Sequence, residues 1–419
     1  MFTIPKGTKD VLPRDSYKWQ FVENAARETA RLFSAKEIRT PVFEHTELFL
    51  RSIGEETDVV SKEMYTFADK KGRSITLKPE GTAPVARSYV ENALEADSLP
   101  LKMFYFTPVF RYERPQEGRL REHHQFGVEV YGSPSPYMDA EVIALAHTFL
   151  TKVGVKDLKL NLNSIGCPEC RKKYNDALKK FLAANIDNMC ATCRERFAKN
   201  PMRVLDCKEE KCKEIVKGAP RIIDFLCDSC KAHMDGVEKA LKTYNIEYVI
   251  NPDIVRGLDY YTKTVFEFVT TSLGSQGTVC GGGRYDNLVE SVGGKSTPCV
   301  GFGIGLERLI MLLEKVGAQF PNNDYPQIYV APQSGEYALQ CMELTSQLRA
   351  GGIKAETDFM GRSVKAQLKY ADKIKAQYVA VIGENEKTSE KIELKNMSDG
   401  TKETISLGKL AEYFKEIQQ

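Results

Sequence analysis

Apolar residues recur at helical spacing near the start of the chain and in shorter runs further on. Val22, Ala26 and Ala30 share one face of a helix predicted over residues 15–33. Apolar runs bounded by turn-forming residues predict strands at residues 63–67, 74–77, 103–113, 125–131, 265–269, 278–280 and 299–303. Residues 305–316 follow the last of these strands with the pattern of an amphipathic helix. The chain up to residue 316 is therefore predicted to be a body of mixed helices and strands.

The pattern changes after this body. Residues 317–327 contain two prolines and three Asn or Asp residues, which predicts a linker. Beyond the linker, strand-like and helical segments alternate, at residues 328–331, 336–349, 363–375 and 378–382. This alternation predicts a compact α/β domain over residues 328–419.

The segment from Cys167 to Asn245 differs in composition from the chain on either side. It holds eight of the eleven cysteines, 17 basic residues and 12 acidic residues, and its apolar spacing is helical. We therefore predict that residues 1–166 and 246–316 form one domain and that residues 167–245 are a mostly helical insertion in it.

The chain as a whole has an ordinary globular composition. Of its 419 residues, 42% are hydrophobic and 28% are charged, and the formal net charge is +2. Its apolar stretches are too short to cross a bilayer, and residues 1–9 lack the apolar core of a signal peptide. We expect a cytoplasmic protein that does not bind membranes, with cysteines that are thiols or metal ligands rather than disulfides.

An Arg- and Glu-rich run at residues 110–119 is the first candidate for chemistry. Surface ion pairs are common, so an arbitrary run of this kind is usually a solvated charged hairpin. Here an aromatic strand precedes the run, and a strand that carries the polar residues Gln125 and Glu129 follows it. Guanidinium groups at the end of a strand can bind phosphates through paired hydrogen bonds, so these flanking strands favour a phosphate site.

Six short motifs extend this observation to a family resemblance. Three resemble motifs 1, 2 and 3 of class II aminoacyl-tRNA synthetases: Arg39-Thr-Pro-Val-Phe-Glu44, Phe110-Arg-Tyr-Glu113 and Gly301-Phe-Gly-Ile-Gly-Leu-Glu-Arg308. Three are similar to signatures of the histidyl-tRNA synthetases: Leu77-Lys-Pro-Glu-Gly-Thr82, Arg256-Gly-Leu-Asp-Tyr-Tyr261 and Gly281-Gly-Gly-Arg-Tyr-Asp286. The motifs follow the order of that family along the chain.

The resemblance implies a fold, a reaction and partners. The fold is an α+β catalytic domain built on an antiparallel sheet, with the Cys-rich insertion and a C-terminal α/β domain that binds the anticodon. The reaction is activation of L-histidine with ATP and transfer of histidine to the 3′-terminal adenosine of tRNA(His). Mg²⁺ is expected on the β- and γ-phosphates of ATP. Motif 1 implies a homodimer.

The resemblance also assigns residues to ATP and to tRNA. Arg111 is expected at the α-phosphate and Arg308 at the γ-phosphate, with Arg119 as a second candidate for the latter. Glu113 is expected beside the adenine. Two further residues of the same loop, Arg114 and Gln116, are candidates for contacts with the acceptor end of tRNA.

The histidine site is assigned in the same way. Glu80, Thr82 and Gln125 are expected to receive the α-ammonium group, and Gly81 and Tyr260 are expected among the residues that bind histidine. Glu129 and Tyr261 are expected at the two ring nitrogens, and imidazole is the standard side chain that offers two such nitrogens. Arg256 is the catalytic candidate along with Arg111, because its guanidinium group can bridge the histidine carboxylate and the α-phosphate, both anionic.

Other interpretations of the same residues carry less weight. The glycines Gly301, Gly303 and Gly305 between a predicted strand and helix imitate a dinucleotide fingerprint, but their spacing is wrong for one. His123 and His124 alternate along a strand and so point to opposite faces, which argues against a shared metal. The alternatives of a synthetase for another amino acid, or of a non-catalytic regulatory subunit, are disfavoured by Glu129 and by the Arg256 motif.

The cysteines of the insertion have the spacing of metal knuckles. Three pairs are separated by two residues, and one pair is looser: Cys167 and Cys170, Cys190 and Cys193, Cys227 and Cys230, and Cys207 and Cys212. The alternative is a cluster of free thiols. We expect about one structural zinc ion per chain, held by a subset of these residues, whose removal weakens tRNA binding while adenylation persists.

Overall fold

Two compact units make up the chain. The computed structural model describes residues 2–54, 57, 59–116, 118–199, 201–205, 207, 209–254, 258–272, 277–322 and 324–417. The first unit is Met1–Phe320 and the second is Pro321–Gln419. The division falls within the predicted linker.

The first unit contains helices α1–α10 and strands β1–β11. The helices are α1 Pro13–Leu32, α2 Thr46–Ile53, α3 Thr82–Glu91, α4 Pro136–Lys152, α5 Pro168–Ala183, α6 Ala191–Lys199, α7 Glu210–Val216, α8 Asp228–Thr243, α9 Leu288–Ser291 and α10 Leu306–Lys315. The strands are β1 Lys36–Glu37, β2 Phe43–His45, β3 Tyr65–Ala68, β4 Ser74–Leu77, β5 Leu101–Phe110, β6 Glu122–Tyr131, β7 Lys159–Ser164, β8 Tyr248–Ile250, β9 Thr262–Val269, β10 Thr278–Arg284 and β11 Cys299–Gly305.

Prolines begin several of these helices. Pro13, Pro136 and Pro168 stand at the first position of α1, α4 and α5, where a helix has no use for the missing N–H group. In α4 the side chain of Ser135 also accepts a hydrogen bond from the N–H of Tyr137, at 3.3 Å.

A large mixed sheet forms the centre of the first unit. Among the described residues it has eight strands in the order β1-β5-β6-β11-β10-β9-β7-β8. The strands from β5 to β7 pair antiparallel, and β1 and β8 add parallel edges. Three further strands form a small antiparallel sheet in the order β2-β4-β3. The predicted antiparallel core is confirmed, and the parallel edges, each two or three residues long, were too short for the sequence pattern to show.

The two faces of the central sheet differ in character, because alternate residues of a strand point to opposite sides. One face carries Phe104, Phe126, Val128, Phe266 and Phe302, which are buried in the main hydrophobic core. Helices α1, α4, α8 and α10 supply the rest of that core. The opposite face carries the polar residues and glycines on which the candidate site is built.

Helix α8 belongs to this main core although it ends the Cys-rich segment. Its residues Met234, Val237 and Leu241 are buried with the sheet and α4. Its His233 also contacts Asp139 of α4, with 2.8 Å between ring nitrogen Nε2 and carboxylate oxygen Oδ2. A smaller core around Tyr174, Leu178 and Leu182 fills the rest of the Cys-rich segment.

The second unit is an α/β domain with its own core. It contains β12 Ile328–Pro332, α11 Ala338–Ala350, β13 Ala355–Thr357, α12 Val364–Lys373, β14 Tyr378–Ile382, α13 Glu384–Ser389, β15 Lys391–Asn396, β16 Lys402–Ser406 and α14 Leu410–Glu416. The sheet order is β13-β12-β14-β15-β16, parallel at its first three strands and antiparallel at the last two pairs. None of the helices in the described ranges is long and apolar enough to cross a membrane.

Several elements differ in length from their predictions. Strand β10 continues to Arg284, although the predicted strand ended at residue 280, because three glycines concealed its continuation. Strand β11 likewise continues to Gly305, two residues beyond its predicted end at residue 303, so all three glycines that imitate a dinucleotide fingerprint lie inside the strand. The predicted strand at residues 103–113 ends earlier, at Phe110.

Candidate active site

A buried carboxyl group, that of Glu129, lies at the centre of the polar face. Thr82 donates a hydrogen bond to its Oε1 atom at 2.7 Å, and Tyr105 donates to the same atom at 3.0 Å. Tyr285 donates to the Oε2 atom. Burial raises the pKa of Glu129 to about 8. A buried carboxyl group that accepts three hydroxyl hydrogen bonds and has so high a pKa is suited to recognising a polar ligand.

A second buried carboxyl group, that of Glu80, lies at the start of α3. It accepts backbone N–H groups from Thr82 at 2.8 Å and from Ala83 at 2.7 Å, so it satisfies two donors at the start of that helix. The hydroxyl of Tyr260 lies 3.5 Å from its Oε2 atom. Burial raises the pKa of Glu80, against the effect of the two N–H groups. Thr82 thus connects the two carboxyl groups, one through its backbone and one through its side chain.

Three tyrosines form an aromatic wall beside these groups. The ring centroid of Tyr260 lies 4.8 Å from that of Tyr261 and 5.6 Å from that of Tyr285, and all three residues are buried. Burial raises the pKa of Tyr260 and of Tyr285 well above the usual value, so both keep their hydroxyl protons as hydrogen-bond donors.

A row of glycines crosses the middle of the sheet between β6 and β10. Gly127 lies opposite Gly303, and Gly303 lies opposite Gly281. A Cβ atom on Gly127 would lie 2.2 Å from the ring of Tyr105, whereas one on Gly303 would meet no atom within 4 Å. The glycine at 127 therefore makes room for a pocket side chain, and the one at 303 faces open space.

Three arginines lie at one end of the β5–β6 hairpin and at the start of α10. Arg111 donates from Nε to the carbonyl of Pro79 at 2.8 Å, which holds it beside Glu80. Arg119 forms an ion pair with Glu113. Burial and, after it, the positive charge of Arg119 lower the pKa of Arg308. Like charges held this close favour an anionic ligand between them.

The arginine-rich loop also presents two polar side chains to solvent. Arg114 and Gln116 are both exposed at the surface. The backbone groups of Gln116 and Arg119 exchange two hydrogen bonds, of 3.0 Å and 2.9 Å, which close a tight turn. These positions leave both side chains accessible to a large partner.

The adjacent residues His123 and His124 are both held within the fold. His124 contacts Glu307 through its ring at 2.9 Å and its backbone N–H at 2.9 Å, and that contact raises the pKa of the His124 ring. Burial lowers the pKa of His123 to about 3, so its ring is neutral. Glu307, inside the segment that resembles motif 3, thus anchors the start of α10 to β6.

Most of the expected histidine-site residues meet in one place. Glu80, Thr82, Glu129 and Tyr260 are joined by hydrogen bonds, and Gly81, whose added Cβ would lie 2.3 Å from the ring of Tyr105, lines the same pocket. Gln125 lies on the same face of β6, two and four residues from Gly127 and Glu129. Tyr261 contributes its ring to the aromatic wall. Arg256 lies outside the described residues.

Two pocket residues were missed from the sequence. Tyr105 and Tyr285 both donate to Glu129, but no role was predicted for either. The signal for Tyr285 was its place in the Gly281–Asp286 motif. The signal for Tyr105 was its alternation with Met103 and Thr107, which puts it on the polar face of β5.

The eight cysteines of the Cys-rich segment gather into two groups of four. The first cluster is Cys167, Cys170, Cys227 and Cys230, and the second cluster is Cys190, Cys193, Cys207 and Cys212. Each cluster unites two of the four pairs recognised in the sequence.

Comparisons with known families cover almost the whole chain. Residues 7–309 match the family model described as Histidyl-tRNA synthetase, and residues 327–417 match the one described as Anticodon binding domain. The chain belongs to the histidyl-tRNA synthetase family.

Individual relatives within this family are similar over their full length. The histidine–tRNA ligase of Clostridium novyi is 55% identical over 408 residues, which are 97% of this chain and 97% of that protein. The histidine–tRNA ligase of Caldanaerobacter subterraneus subsp. tengcongensis is 53% identical over 411 residues, 98% of this chain and 99% of that protein. The crystal structure of apo S. aureus histidyl-tRNA synthetase is 40% identical, with a TM-score of 0.85, and covers 99% of this chain and 100% of that one. The predicted family and fold class are confirmed.

Proposed function

We propose that this protein activates L-histidine with ATP to give histidyl-adenylate and pyrophosphate, and then transfers histidine to the 3′-terminal adenosine of tRNA(His). Its membership of the family, with relatives at 53% and 55% identity over nearly full length, confirms the predicted class of an ATP-dependent histidine–tRNA ligase. The main structural support for histidine as the substrate is the buried Glu129 carboxyl group, which accepts hydrogen bonds from three hydroxyl groups.

The proposed specificity comes from polar groups that a wrong ligand leaves unpaired. Glu129 accepts the N–H of the imidazole ring, and a tyrosine hydroxyl of the aromatic wall, that of Tyr261, meets the other ring nitrogen. A side chain without two ring nitrogens would exclude water from the Glu129 carboxyl group and the Tyr261 hydroxyl without supplying the hydrogen bonds that imidazole supplies. A site of this kind can reject analogues by ~10⁴–10⁵. Glu80, Thr82 and Gln125 would receive the α-ammonium group.

The proposed ATP site lies beside Gly303 and the three arginines. Arg111 binds the α-phosphate, and Arg308, with Arg119 beside it, binds the γ-phosphate. A Cβ atom placed on Gly303 would meet no atom within 4 Å, which leaves room there for part of the ATP molecule. Glu113 is already paired with Arg119 and Glu307 with His124, so Mg²⁺ bound with ATP would take most of its ligands from phosphates and water.

The proposed reaction is an in-line displacement at the α-phosphorus. A carboxylate oxygen of histidine forms the new bond to phosphorus, and the bond to the bridging oxygen of pyrophosphate breaks. Arg256 would bridge the two anionic reactants, and Arg111 would hold the α-phosphate as charge builds on it. The 3′-terminal adenosine of tRNA then attacks the activated carbonyl and releases AMP.

The partners proposed for the rest of the chain are tRNA and a second copy of the protein. The second unit would bind the anticodon, and Arg114 and Gln116 would contact the acceptor end. Three exposed apolar side chains on the small β2-β4-β3 sheet and the turn before it support a homodimer interface there: Val42 (39% exposed), Phe43 (57%) and Phe67 (49%). A cytoplasmic location, where tRNA is charged, and structural zinc in the Cys-rich segment belong to the same proposal.

Pyrophosphate exchange into ATP, measured with each standard amino acid in turn, tests the function directly. Histidine alone should support exchange. Exchange with proline, threonine or glycine but not with histidine would favour a synthetase of another specificity. The absence of exchange with every amino acid, in a folded protein that binds tRNA, would favour the regulatory alternative.

A further inference from the structure

The two cysteine clusters have the arrangement of closed metal sites. We propose that each holds one structural zinc ion, so that the chain carries two, and that the first cluster supports the catalytic sheet while the second supports only the Cys-rich segment. The proposed number of zinc ions depends only on the two clusters, whereas the proposed difference between their roles rests also on the proposed function.

The sulfur positions suit tetrahedral zinc. In each cluster the four Sγ atoms lie within 4.8 Å of one another. The sulfurs of Cys167 and Cys170 are 3.5 Å apart and those of Cys190 and Cys207 are 3.9 Å apart. Four thiolates at about 2.3 Å from a zinc ion have sulfurs about 3.8 Å apart, whereas a disulfide would bring two sulfurs to about 2.0 Å.

The backbone brings the two pairs of each cluster together. Cys167, Cys190 and Cys227 stand immediately before α5, α6 and α8, so three of the four pairs have one cysteine before a helix and one in its first turn. The N–H of Cys227 donates to the sulfur of Cys170 at 3.1 Å, and that of Cys190 to the sulfur of Cys212 at 3.3 Å. Each of these hydrogen bonds joins one pair of a cluster to the other pair.

One glycine fits this arrangement and no other residue would. Gly166 has φ +65°, and a Cβ atom there would lie 2.5 Å from the Cβ atom of Cys170. The chain therefore turns into the first cluster through a conformation that favours glycine. With four cysteine ligands each site is closed and has no position for water or substrate, which indicates a structural role.

The first cluster lies against the catalytic sheet. Cys167 follows β7, and the two backbone hydrogen bonds between residues 165–166 and Lys263 tie that turn to the start of β9, at 2.8 Å and 2.9 Å. Strand β9 begins directly after Tyr261 of the aromatic wall. The other half of the cluster begins α8, which is packed in the main core. Loss of this site should therefore disturb the histidine pocket.

The second cluster belongs to the small separate core. Cys193, Cys207 and Cys212 are buried with Tyr174 and Leu178, away from the sheet. An ion pair at 3.0 Å joins Arg203, near this cluster, to Asp259 in the loop before β9, and both side chains are partly exposed. Such pairs are weak, so loss of the second site should leave adenylation close to its original rate.

Metal analysis of the full chain, purified without chelators, tests the number of sites. We expect two zinc ions per chain. Titration with a mercurial reagent, with a zinc-binding dye in the solution, should release both ions as the eight clustered thiols react, and it needs no variant. One ion per chain, iron in place of zinc, or metal-free protein with eight reactive thiols would each overturn the proposal.

Variants test the division of roles. Cys230→Ala (first cluster) and Cys193→Ala (second cluster) should each retain one zinc ion, and Cys341→Ala, a buried cysteine of the second unit, should retain two. Histidine-dependent exchange should fall at least ~10-fold in Cys230→Ala, because misplacing pocket groups by a fraction of an ångström is costly, and should change little in Cys193→Ala. Cys193→Ala should still weaken tRNA binding.

The outcomes separate the two proposals. Equal exchange in Cys230→Ala and Cys193→Ala, with one ion lost from each, would overturn the division of roles while leaving the sites. If wild-type protein showed no exchange with histidine, the proposed function would fail, but the metal count would still decide the sites. If Cys230→Ala did not fold while Cys193→Ala did, the result would support the structural dependence of the sheet on the first cluster.

Discussion

The high pKa of Glu129 leads to a prediction about how histidine binding depends on pH. In the proposed complex Glu129 accepts the N–H of a neutral imidazole ring, so the bound form needs the carboxylate. Burial raises the pKa of this group from 4.5 to about 8 in the empty pocket. Binding below that pH must therefore release the Glu129 proton, and the affinity for histidine should rise with pH until about 8.

The size of the effect follows from the same number. One pH unit below the pKa, the requirement for the carboxylate lowers kcat/KM for histidine roughly tenfold, or about 1.4 kcal/mol. Glu129→Gln removes the titration and keeps the shape and an acceptor oxygen. It also replaces a charged acceptor by a neutral one, which costs roughly 1.5–3 kcal/mol for such a hydrogen bond. The variant should thus be slower but should lack the dependence near pH 8.

The assay is histidine-dependent pyrophosphate exchange at subsaturating histidine, from about pH 6 to about pH 9. Wild type should rise through pH 8, and Glu129→Gln should level off near ~6.5, where the imidazole of free histidine loses its proton. Tyr285→Phe is the matched control, because it removes one hydroxyl donor to the same carboxylate without removing the carboxylate. It should keep the rise and shift it to higher pH.

The pH dependence of unfolding tests the direction of this pKa shift independently. The folded protein holds the Glu129 proton more tightly than the unfolded chain, so this contribution to stability is present at low pH and is lost as the pH rises through about 8. A shift from 4.5 to about 8 corresponds to roughly 5 kcal/mol as an upper limit. Superimposable pH profiles for wild type and Glu129→Gln, or a wild-type affinity that falls above pH 7, would refute this role for Glu129.

Four further variants have clear expected results. Arg256→Ala should lower adenylation by at least ~10²–10³ with a much smaller change in ATP affinity, and exchange within a few-fold of wild type would show that Arg256 is not catalytic. Gly127→Ala should raise KM for histidine, because its Cβ atom would lie 2.2 Å from the Tyr105 ring. Gly303→Ala should instead raise KM for ATP and leave KM for histidine unchanged. If each variant changed both KM values equally, the assignment of the two pockets would be contradicted. A chain that ends at Phe320 should keep exchange but charge tRNA poorly, and undiminished charging, in a truncated protein whose mass shows the same oligomeric state, would exclude an anticodon role for the second unit.

The sequence predicted the large elements because their patterns are local. The α1 helix, the β5–β6 hairpin and the alternation of the second unit each follow from apolar spacing and turn residues within a short window. The end of β10 did not, because Gly281–Gly283 carry no side chains whose alternation could show a strand. Glycine in a strand weakens the usual signal and indicates instead that something else approaches the backbone.

The candidate site was predictable where a motif supplied it and not where the tertiary structure did. Glu80, Thr82 and Glu129 were identified because they lie in or near recognisable motifs, and their hydrogen bonds in the structure are consistent with that choice. Tyr105 was missed because its role depends on two glycines, Gly81 and Gly127, that leave room for its ring. The position of α8 in the main core was missed for a similar reason, since composition separated the Cys-rich segment from a body into which its last helix returns.

The glycine row has a consequence for molecules designed to block this site. At Gly303, in the middle of this row, a ligand would meet peptide groups and no side chain, whereas the ring of Tyr105 lies against Gly127. Peptide atoms are the same whatever residue is encoded, so contacts with them can be lost through a point mutation only when the new side chain adds atoms that cover them. The mutations open to the chain there add atoms, and at Gly127 the added atom collides with the pocket itself. Escape from such a compound would have to come from the rim of the pocket, or at a cost to the binding of the natural substrate.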